Sequence, residues 1–225
     1  MYQAAREQHA DYIYCDYYLD FESGRRYMHN PTFSDPERLV KEGFLAGTMK
    51  YNLWNKLVRR ELYYQGAPLT FAEGYAMGDD MILIILAMRA KRAAHVAHAL
   101  YHYIRINTNS ITRTASESHK AAIRHNTGRV LEALSLWEVA DRDLYAQFFK
   151  LNVKLPFLFT GRYSQYRLWR QWYPEADKFI AKNRHWPFRT RLVQLFARYR
   201  LFPLVWLNWF ATEKIYYGIV KRLKQ

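Results

Sequence analysis

The stretch Gly78-Asp79-Asp80-Met81-Ile82-Leu83-Ile84-Ile85-Leu86-Ala87-Met88 decides how the chain is interpreted. Two adjacent carboxylates open an apolar run, and three of the four residues that follow the run are basic. Acidic residues favour the positive end of a helix and basic residues the negative end, so the pattern predicts a buried helix. Asp79 is the predicted N-cap, and Asp80 lies in the first turn, ionised and able to accept a proton. An ordinary helix cap and a catalytic base both remain open for this pair.

Length and composition limit the classes of protein to which the chain can belong. At 225 residues, half of them apolar and 17% aromatic, the chain can bury a real core in one large domain or in one and a half ordinary ones. The single cysteine, Cys15, excludes an internal disulfide and fits a reducing compartment. Residues 4–9 are polar, so no signal peptide is predicted at the start. No stretch reaches the roughly 18 consecutive apolar residues that a membrane-spanning helix needs.

Positive charge is concentrated near the end of the chain. The net charge is +14, and residues 151–225 hold 15 Lys and Arg against three acidic residues. Residues 1–150 are nearly balanced, with 19 basic and 17 acidic residues. The basic tail therefore needs an explanation of its own.

Residues 11–19 are rich in β-formers and predict a strand, followed by a turn and a shorter strand at 26–29. Residues 51–60 predict an extended segment that leads into a helical turn. A mixture of β-branched and aromatic residues at 96–106 predicts another strand. Residues 1–10 resemble only the end of a helix. The first half of the chain is therefore predicted to be mixed α/β with few strands.

Helices dominate the remaining predictions. Ser34 and Glu37 have capping-box spacing, with Ser34 as the cap of a helix that ends near Gly47 and buries four residues, Leu39, Val40, Phe44 and Leu45. A long helix is predicted at 116–139. Further helices are expected from Leu144 on, with interruptions at Pro156, Gly161, Pro174, Pro187 and Pro203. The sequence thus predicts an α/β part at residues 1–115 and a mainly α-helical part at residues 116–225.

Three landmarks in sequence order resemble the C-terminal half of the catalytic domain of bacterial family 2 glycosyltransferases, inverting enzymes of the GT-A fold. They are Leu53–Arg60, Gly78–Asp80, and Tyr101–Arg105 running on to Asn109–Thr112. The strand at residues 10–16 also resembles the one that these enzymes place after their metal motif. The resemblance covers roughly residues 1–115. It implies a partial GT-A-like domain, the acceptor-side half, followed by a basic and aromatic helical extension.

The resemblance gives Asp80 the role of general base. A sugar hydroxyl must lose its proton as it attacks the anomeric carbon, and an ionised carboxylate within reach can take that proton. The family usually has Glu before the base, whereas this chain has Asp79, which is shorter by one methylene and keeps the charge as a cap or supporting carboxylate.

Four further residues match the landmarks and are expected to contact substrate: Trp54, Asn55, Lys56 and Arg105. A cation near a departing diphosphate stabilises charge in the transition state, which suits Lys56 and Arg105. Simpler roles stay open beside these. Trp54 packs in the fold, Lys56 pairs with a surface acid, or Arg105 is an exposed cation at a strand end.

The resemblance also implies a nucleotide-sugar donor and a divalent metal, Mg²⁺ or Mn²⁺, held by an Asp-x-Asp motif. No such motif precedes Tyr12. Asp141-Arg142-Asp143 is rejected, because it lies between predicted helices and beyond the base. No metal ligand is therefore assigned in this chain. We expect an acceptor-side half that is inactive alone, either truncated or completed by a separate chain that carries the donor half.

His95, His98 and His102 raise the question of a zinc site, since the even spacing of the last two places them on one face of a strand. No cysteine or carboxylate completes a ligand set nearby in the sequence, so ordinary histidines are expected.

In the tail, cations alternate with aromatic residues, and five of the seven tryptophans lie past residue 165. The apolar segment 201–210 is too short to cross a bilayer. Trp, Tyr and basic residues suit the surface of an anionic membrane, while a helical cap over the domain and a nucleic-acid site remain open.

The expected function is a glycosyltransferase that is cytoplasmic and peripheral on the inner face of the cell membrane. It would use a glycan or lipid-linked glycan as acceptor in the synthesis of envelope polysaccharide or glycolipid. The alternative is a non-enzymatic basic module that binds a membrane or nucleic acid, with Asp79 and Asp80 serving only as a cap.

Overall fold

The computed structural model describes residues 1–22, 24–66, 69, 78–105 and 116–216, without the side chains of Asp79 and of residues 214–216. The chain forms two compact units. The first unit contains Met1–Phe44 and Met49–Arg142, and the second contains Leu45–Thr48 and Asp143–Gln225. The boundary predicted after residue 115 falls next to residues outside the described part, and the long helix that follows belongs to the first unit.

A small mixed sheet organises the first unit around β1 (Tyr12–Phe21). Strand β4 (Ala93–Ile104) pairs with β1 in parallel, while β2 (Gly24–Met28) and β3 (Lys56–Val58) pair with its end and its beginning in antiparallel. The predicted hairpin and the later strand are confirmed, although β4 begins three residues earlier than expected. The first half of β1 is buried and mostly apolar, as expected of a central strand.

Short helices cover this sheet. Helix α1 spans Tyr2–Glu7, and α2 spans Pro36–Arg38 and continues as a π-helical segment, Leu39–Leu45. The prediction that Ser34 caps α2 is wrong. Asp35 is the N-cap, because Pro36 occupies the first turn and the Asp35 Oδ1 accepts the Glu37 backbone N–H at 3.0 Å. The predicted buried side chains are confirmed: Leu39, Val40, Phe44 and Leu45.

The apolar run after the two aspartates forms helix α3 (Ile82–Arg89), which buries Ile82 to Ala87. Its first predicted turn is instead a separate 3-10 turn, Asp79–Met81, in which the Met81 N–H donates to the Gly78 carbonyl at 3.0 Å. The N-cap position of the α-helix is therefore Met81, so the prediction that Asp79 occupies it is wrong. The Asp79 side chain lies outside the described part, and its supporting role stays a prediction.

Gly78 allows this sharp entry. Its φ of +80° lies in the left-handed region, which residues with a Cβ rarely adopt. A Cβ there would stand 3.3 Å from the Met81 Cε and in ordinary contact with Ile123 of α4 (Glu117–Ser135), which packs beside α3. Ser116 caps α4 by accepting the His119 N–H at 3.2 Å. The long predicted helix is confirmed and ends four residues early.

The second unit is helical, as predicted. Its α-helices are α5 (Arg142–Lys154), α6 (Tyr163–Gln171), α7 (Phe188–Arg198) and α8 (Phe202–Phe210). The 3-10 segments Leu155–Phe159 and Pro174–Lys182 lie between them, and a π-helical segment, Ala211–Tyr216, follows α8. Buried residues from all four of these α-helices form one core, for example Leu151, Trp169, Val193 and Val205. Within the described ranges, no helix is long and apolar enough to cross a membrane.

Candidate active site

Asp80 lies in the 3-10 turn that leads into α3, and it is half-buried. Its negative charge acts on three residues of the segment before and within β3: Lys50, Tyr51 and Lys56. The structure therefore brings together two landmarks that are more than twenty residues apart in the sequence. A half-buried carboxylate near cations has surroundings that suit a general base, since part of it can still meet a ligand.

Lys56 is the cation whose surroundings are best defined. Its Nζ donates to the carbonyl oxygens of Lys50 (3.1 Å) and Asn52 (2.8 Å) and to the Asn55 Oδ1 (2.8 Å). Burial lowers the pKa of Lys56 to about 7, and the negative charge of Asp80 opposes that shift. The ammonium thus ties the loop 50–55 to β3. A phosphate oxygen would have to replace one of these acceptors, and such a contact stays a prediction.

Asn55 supports this loop from the inside. Only 1% of the residue is exposed, and its Nδ2 donates to the Cys15 carbonyl of β1 at 2.9 Å. Its backbone carbonyl in turn accepts the Cys15 N–H at 3.1 Å. The structure places Asn55 as a brace between loop and sheet, while the predicted substrate contact is untested.

Trp54 belongs to an aromatic cluster on the sheet. Its ring stacks on Tyr101 at 4.5 Å and on Tyr103 at 5.2 Å, both residues of β4, and meets the Tyr17 ring edge-on at 4.8 Å. Packing of Trp54, one of the two sequence-based alternatives, is therefore observed. Trp54 remains half-buried, so part of its surface stays open to a ligand.

Arg105 lies away from Asp80. Its backbone N–H donates to the Asp20 carbonyl at 2.8 Å, and its guanidinium lies 5.9 Å from the centre of the Phe21 ring. Lys56 of β3 lies opposite Tyr14 of β1, the strand that also contains Asp20. The six residues from Tyr14 to Asp20 correspond to about 20 Å along β1. The structure thus places Arg105 as an exposed cation at a strand end, apart from the Asp80 neighbourhood.

The metal expected for the complete enzyme finds no fitting ligand set in the described residues, where no three His, Cys, Asp or Glu side chains are grouped to hold an ion. Asp141 lies in an exposed turn, whereas Asp143 lies within α5 and not between helices as predicted. His98 Nδ1 lies 2.7 Å from the Ala97 carbonyl, and His102 Nδ1 lies 2.9 Å from the Asp20 Oδ2.

No protein-family model matches the chain, and no curated protein is similar enough to count as a relative. Among solved structures, the chain is similar to S. aureus TarS, residues 1–349, in complex with UDP-GlcNAc. The TM-score is 0.52 at 15% identity over 95% of this chain. The chain has a glycosyltransferase fold. It spans 62% of the TarS chain.

Within this glycosyltransferase fold, sequence reasoning missed one buried polar cluster. Asp16, in the middle of β1, is 1% exposed, and its Oδ1 lies 2.9 Å from His95 Nε2 on β4. The same carboxylate accepts the Asn30 N–H (2.8 Å) and the Tyr27 hydroxyl (3.0 Å), and His95 Nδ1 lies 2.8 Å from the Thr32 hydroxyl. Burial alone would raise the pKa of Asp16, but these donors lower it overall.

A sequence signal for this cluster existed. A carboxylate in the middle of an apolar strand must find donors, because an unpaired buried charge is costly. The parallel pairing of β1 and β4 brings His95 to Asp16 as its partner. Before the strand register was known, the sequence could not show which of the three histidines in this segment would be that partner. The cluster braces the sheet next to the candidate site.

Proposed function

We propose that this chain is the acceptor-side part of an inverting glycosyltransferase of family 2 type, with Asp80 as the general base. The observation that carries the proposal is the placement of the half-buried Asp80 beside Lys56, Lys50 and Tyr51 in a glycosyltransferase fold. The GT-A assignment and the family 2 assignment rest on the three sequence landmarks, two of which meet at this carboxylate.

The proposed reaction is a single displacement. An acceptor hydroxyl oxygen forms a bond to the anomeric carbon of the donor sugar while the bond from that carbon to the diphosphate breaks. The hydroxyl proton passes to the Asp80 carboxylate, and the configuration at the anomeric carbon is inverted. The lysine ammonium near Asp80 keeps the base ionised before the transfer. Trp54, half-exposed in its aromatic cluster, offers an apolar surface beside which an acceptor sugar can lie.

The proposed donor is a nucleotide-sugar, in line with the UDP-GlcNAc that TarS binds. Residues 1–225 are proposed not to transfer sugar by themselves. The Asp-x-Asp motif that the resemblance requires upstream of the base is absent from these residues, and the remaining one at residues 141–143 lies beyond it. A donor-binding half, on the same or a separate chain, would complete the site.

The proposed acceptor is a glycan or a lipid-linked glycan of the cell envelope, and the proposed location is the inner face of the cell membrane. The support for this location is the tail, in which 15 basic residues stand against three acidic ones after residue 150.

The test is Asp80→Asn in a protein in which a donor-binding half is joined upstream of Met1. The amide cannot accept the proton, so sugar transfer is expected to fall about 10²- to 10⁴-fold with folding intact. The matched control is Asp141→Asn, which makes the same chemical change at an exposed turn whose φ of +57° asparagine adopts well. Transfer, measured as release of nucleoside diphosphate, should be unchanged in the control.

A second candidate is a non-enzymatic basic module, which the concentration of positive charge in the tail favours. In that case Asp80→Asn leaves transfer as it was, and Asp79 and Asp80 only begin a helix. Full turnover by unextended residues 1–225 with a sugar nucleotide and a divalent metal would disprove the proposed inactivity.

A further inference from the structure

Helix α8 of the second unit combines an uncharged sequence with an exposed side. Phe202–Phe210 contains no acidic or basic residue. Val205 is fully buried in the core, whereas Leu201, Leu204 and Leu207 are 45%, 40% and 54% exposed. Their three-residue spacing places them along one side of the helix. Large apolar side chains that are exposed together, rather than singly, mark a surface that binds another protein or a membrane.

A second group of exposed aromatic residues lies beside Phe202 and Trp209, on the side of α8 away from Leu204 and Leu207. A Cβ at Gly161 would stand 2.7 Å from the Trp209 ring, so the loop before α6 lies directly against the end of α8. The Tyr163 ring meets the Phe202 ring edge-on at 6.3 Å. Phe159 and Tyr163, which flank that loop, are 45% and 42% exposed.

On its other side, α8 lies beside the beginning of α7. The Arg189 Nε donates to the Asn208 Oδ1 at 2.7 Å, and its Nη2 also bonds the Thr212 hydroxyl. Phe188, next to this arginine, is 70% exposed. We call Leu201 at the N-cap of α8, Leu204, Leu207 and Phe188 the α8 surface.

The surroundings of the α8 surface are basic. Residues 143–216 contain 13 Lys and Arg against four acidic residues. Two of those acids are engaged by lysines, since Glu175 lies 2.7 Å from the Lys150 Nζ and Asp177 lies 2.5 Å from the Lys154 Nζ. Two exposed arginines lie beside this surface: Arg189, which bonds Asn208 and Thr212, and Arg200, which directly precedes Leu201. An apolar, uncharged stripe is therefore bordered by cations.

We propose that the α8 surface docks on an anionic lipid bilayer. Its leucines would lie at the boundary between the headgroups and the acyl chains, and its arginines would contact anionic headgroups. Aromatic and leucine side chains beside Arg are the pattern of helices that lie in the membrane interface. Duplex nucleic acid would engage the arginines and leave the leucines without a favourable contact. The inference does not depend on sugar transfer.

The test is sedimentation of the full chain with vesicles of phosphatidylcholine, and with vesicles of equal parts phosphatidylcholine and phosphatidylglycerol. Sedimentation is expected mainly with the anionic vesicles and should weaken as salt is added. The variant is Leu204→Glu with Leu207→Glu, which places two negative charges on the docking side. Its partition coefficient should fall at least about tenfold, because apolar contact is lost and repulsion is added.

The matched control is Leu136→Glu, because Leu136 is 80% exposed and belongs to the first unit, not to the α8 surface. It should bind anionic vesicles as the unchanged chain does, and circular dichroism should show that both variants keep their helices. Binding by the double variant at the level of the control would overturn the proposal. So would failure of the unchanged chain to sediment with either vesicle, whether or not it shifts duplex DNA.

Discussion

Each unit buries a lysine ammonium among oxygen acceptors, but the charges that balance the two lysines differ. In the second unit, the fully buried Lys154 contacts the Asp177 carboxylate at 2.5 Å and the carbonyls of Trp172 and Tyr173 at 2.8 and 3.3 Å. In the first unit, the three acceptors of Lys56 are neutral oxygens, and the half-buried Asp80 acts on it by its charge.

The difference separates a structural use of charge from a chemical one. Burial lowers the pKa of Lys154 and raises that of Asp177, and their direct contact opposes both shifts. Both members of that pair are shielded, so the pair can only stabilise. Asp80 keeps an exposed part, so its charge is available to a substrate while a lysine with a pKa near 7 stands beside it.

The largest expected effect on stability is at the buried Lys154–Asp177 pair. Lys154→Met should lower the free energy of unfolding by about 3–5 kcal/mol, because it leaves the buried Asp177 carboxylate without its cation. Urea unfolding at neutral pH measures this. Lys150→Met is the control, since its partner Glu175 has a side chain that is 50% exposed, and loss of this pair should cost less than about 1 kcal/mol. An equal loss of unfolding free energy in the two variants would show that the buried pair and the exposed pair contribute alike.

A smaller loss is expected at the open site. Lys56→Met removes three hydrogen bonds to the loop 50–55, but water can reach this half-buried loop and take their place in part. The free energy of unfolding should fall by about 1–2 kcal/mol. Lys91→Met, at an exposed lysine of the same unit, should change it by less than about 0.5 kcal/mol. A loss at Lys56 as large as that at Lys154 would show that the site is as closed as the second unit's core.

The smallest effect is a change of titration. In NMR of ¹³C-labelled lysine, one Cε signal should titrate near pH 7, and Asp80→Asn should lower that pKa, because it removes the negative charge that favours the ammonium. The ordinary value in the unfolded chain is 10.5. Between these two values the unfolded state binds more protons, so the contribution of Lys56 to stability rises with pH over that window.

Asp141→Asn should leave the Lys56 signal where it is, since that turn is not among the charges that act on Lys56. An Asp80→Asn variant with an unshifted Lys56 signal would contradict the placement of the carboxylate beside the lysine, independently of any measurement of sugar transfer.

Prediction from sequence succeeded where local chemistry decides. The β-rich run of β1, the apolar residues of α3 and the proline interruptions of the second unit all appear where expected, because strand and helix formers and proline act over a few residues. It failed at single positions of the same elements. Asp35 replaced Ser34 as a cap because Pro36 follows it, and a 3-10 turn displaced the N-cap of α3 from Asp79 to Met81.

The candidate site was predictable in its central member and not in its surroundings. The landmarks singled out Asp80 and Lys56, and the structure places them in one neighbourhood. Arg105, which the same reasoning grouped with them, lies at the far end of β1. The Asp16–His95 contact was missed because its partners are 79 residues apart and only strand register brings them together.

By itself, the sequence determined the element types, the basic helical tail and the carboxylate pair before an apolar helix, since each follows from neighbouring residues. Only the tertiary structure decided which charges meet. The neighbours of Asp80 are one example, and the exposed leucines of α8 beside the buried Val205 are another. Charge interaction and burial depend on distance in space, and the packing of the whole unit sets that distance.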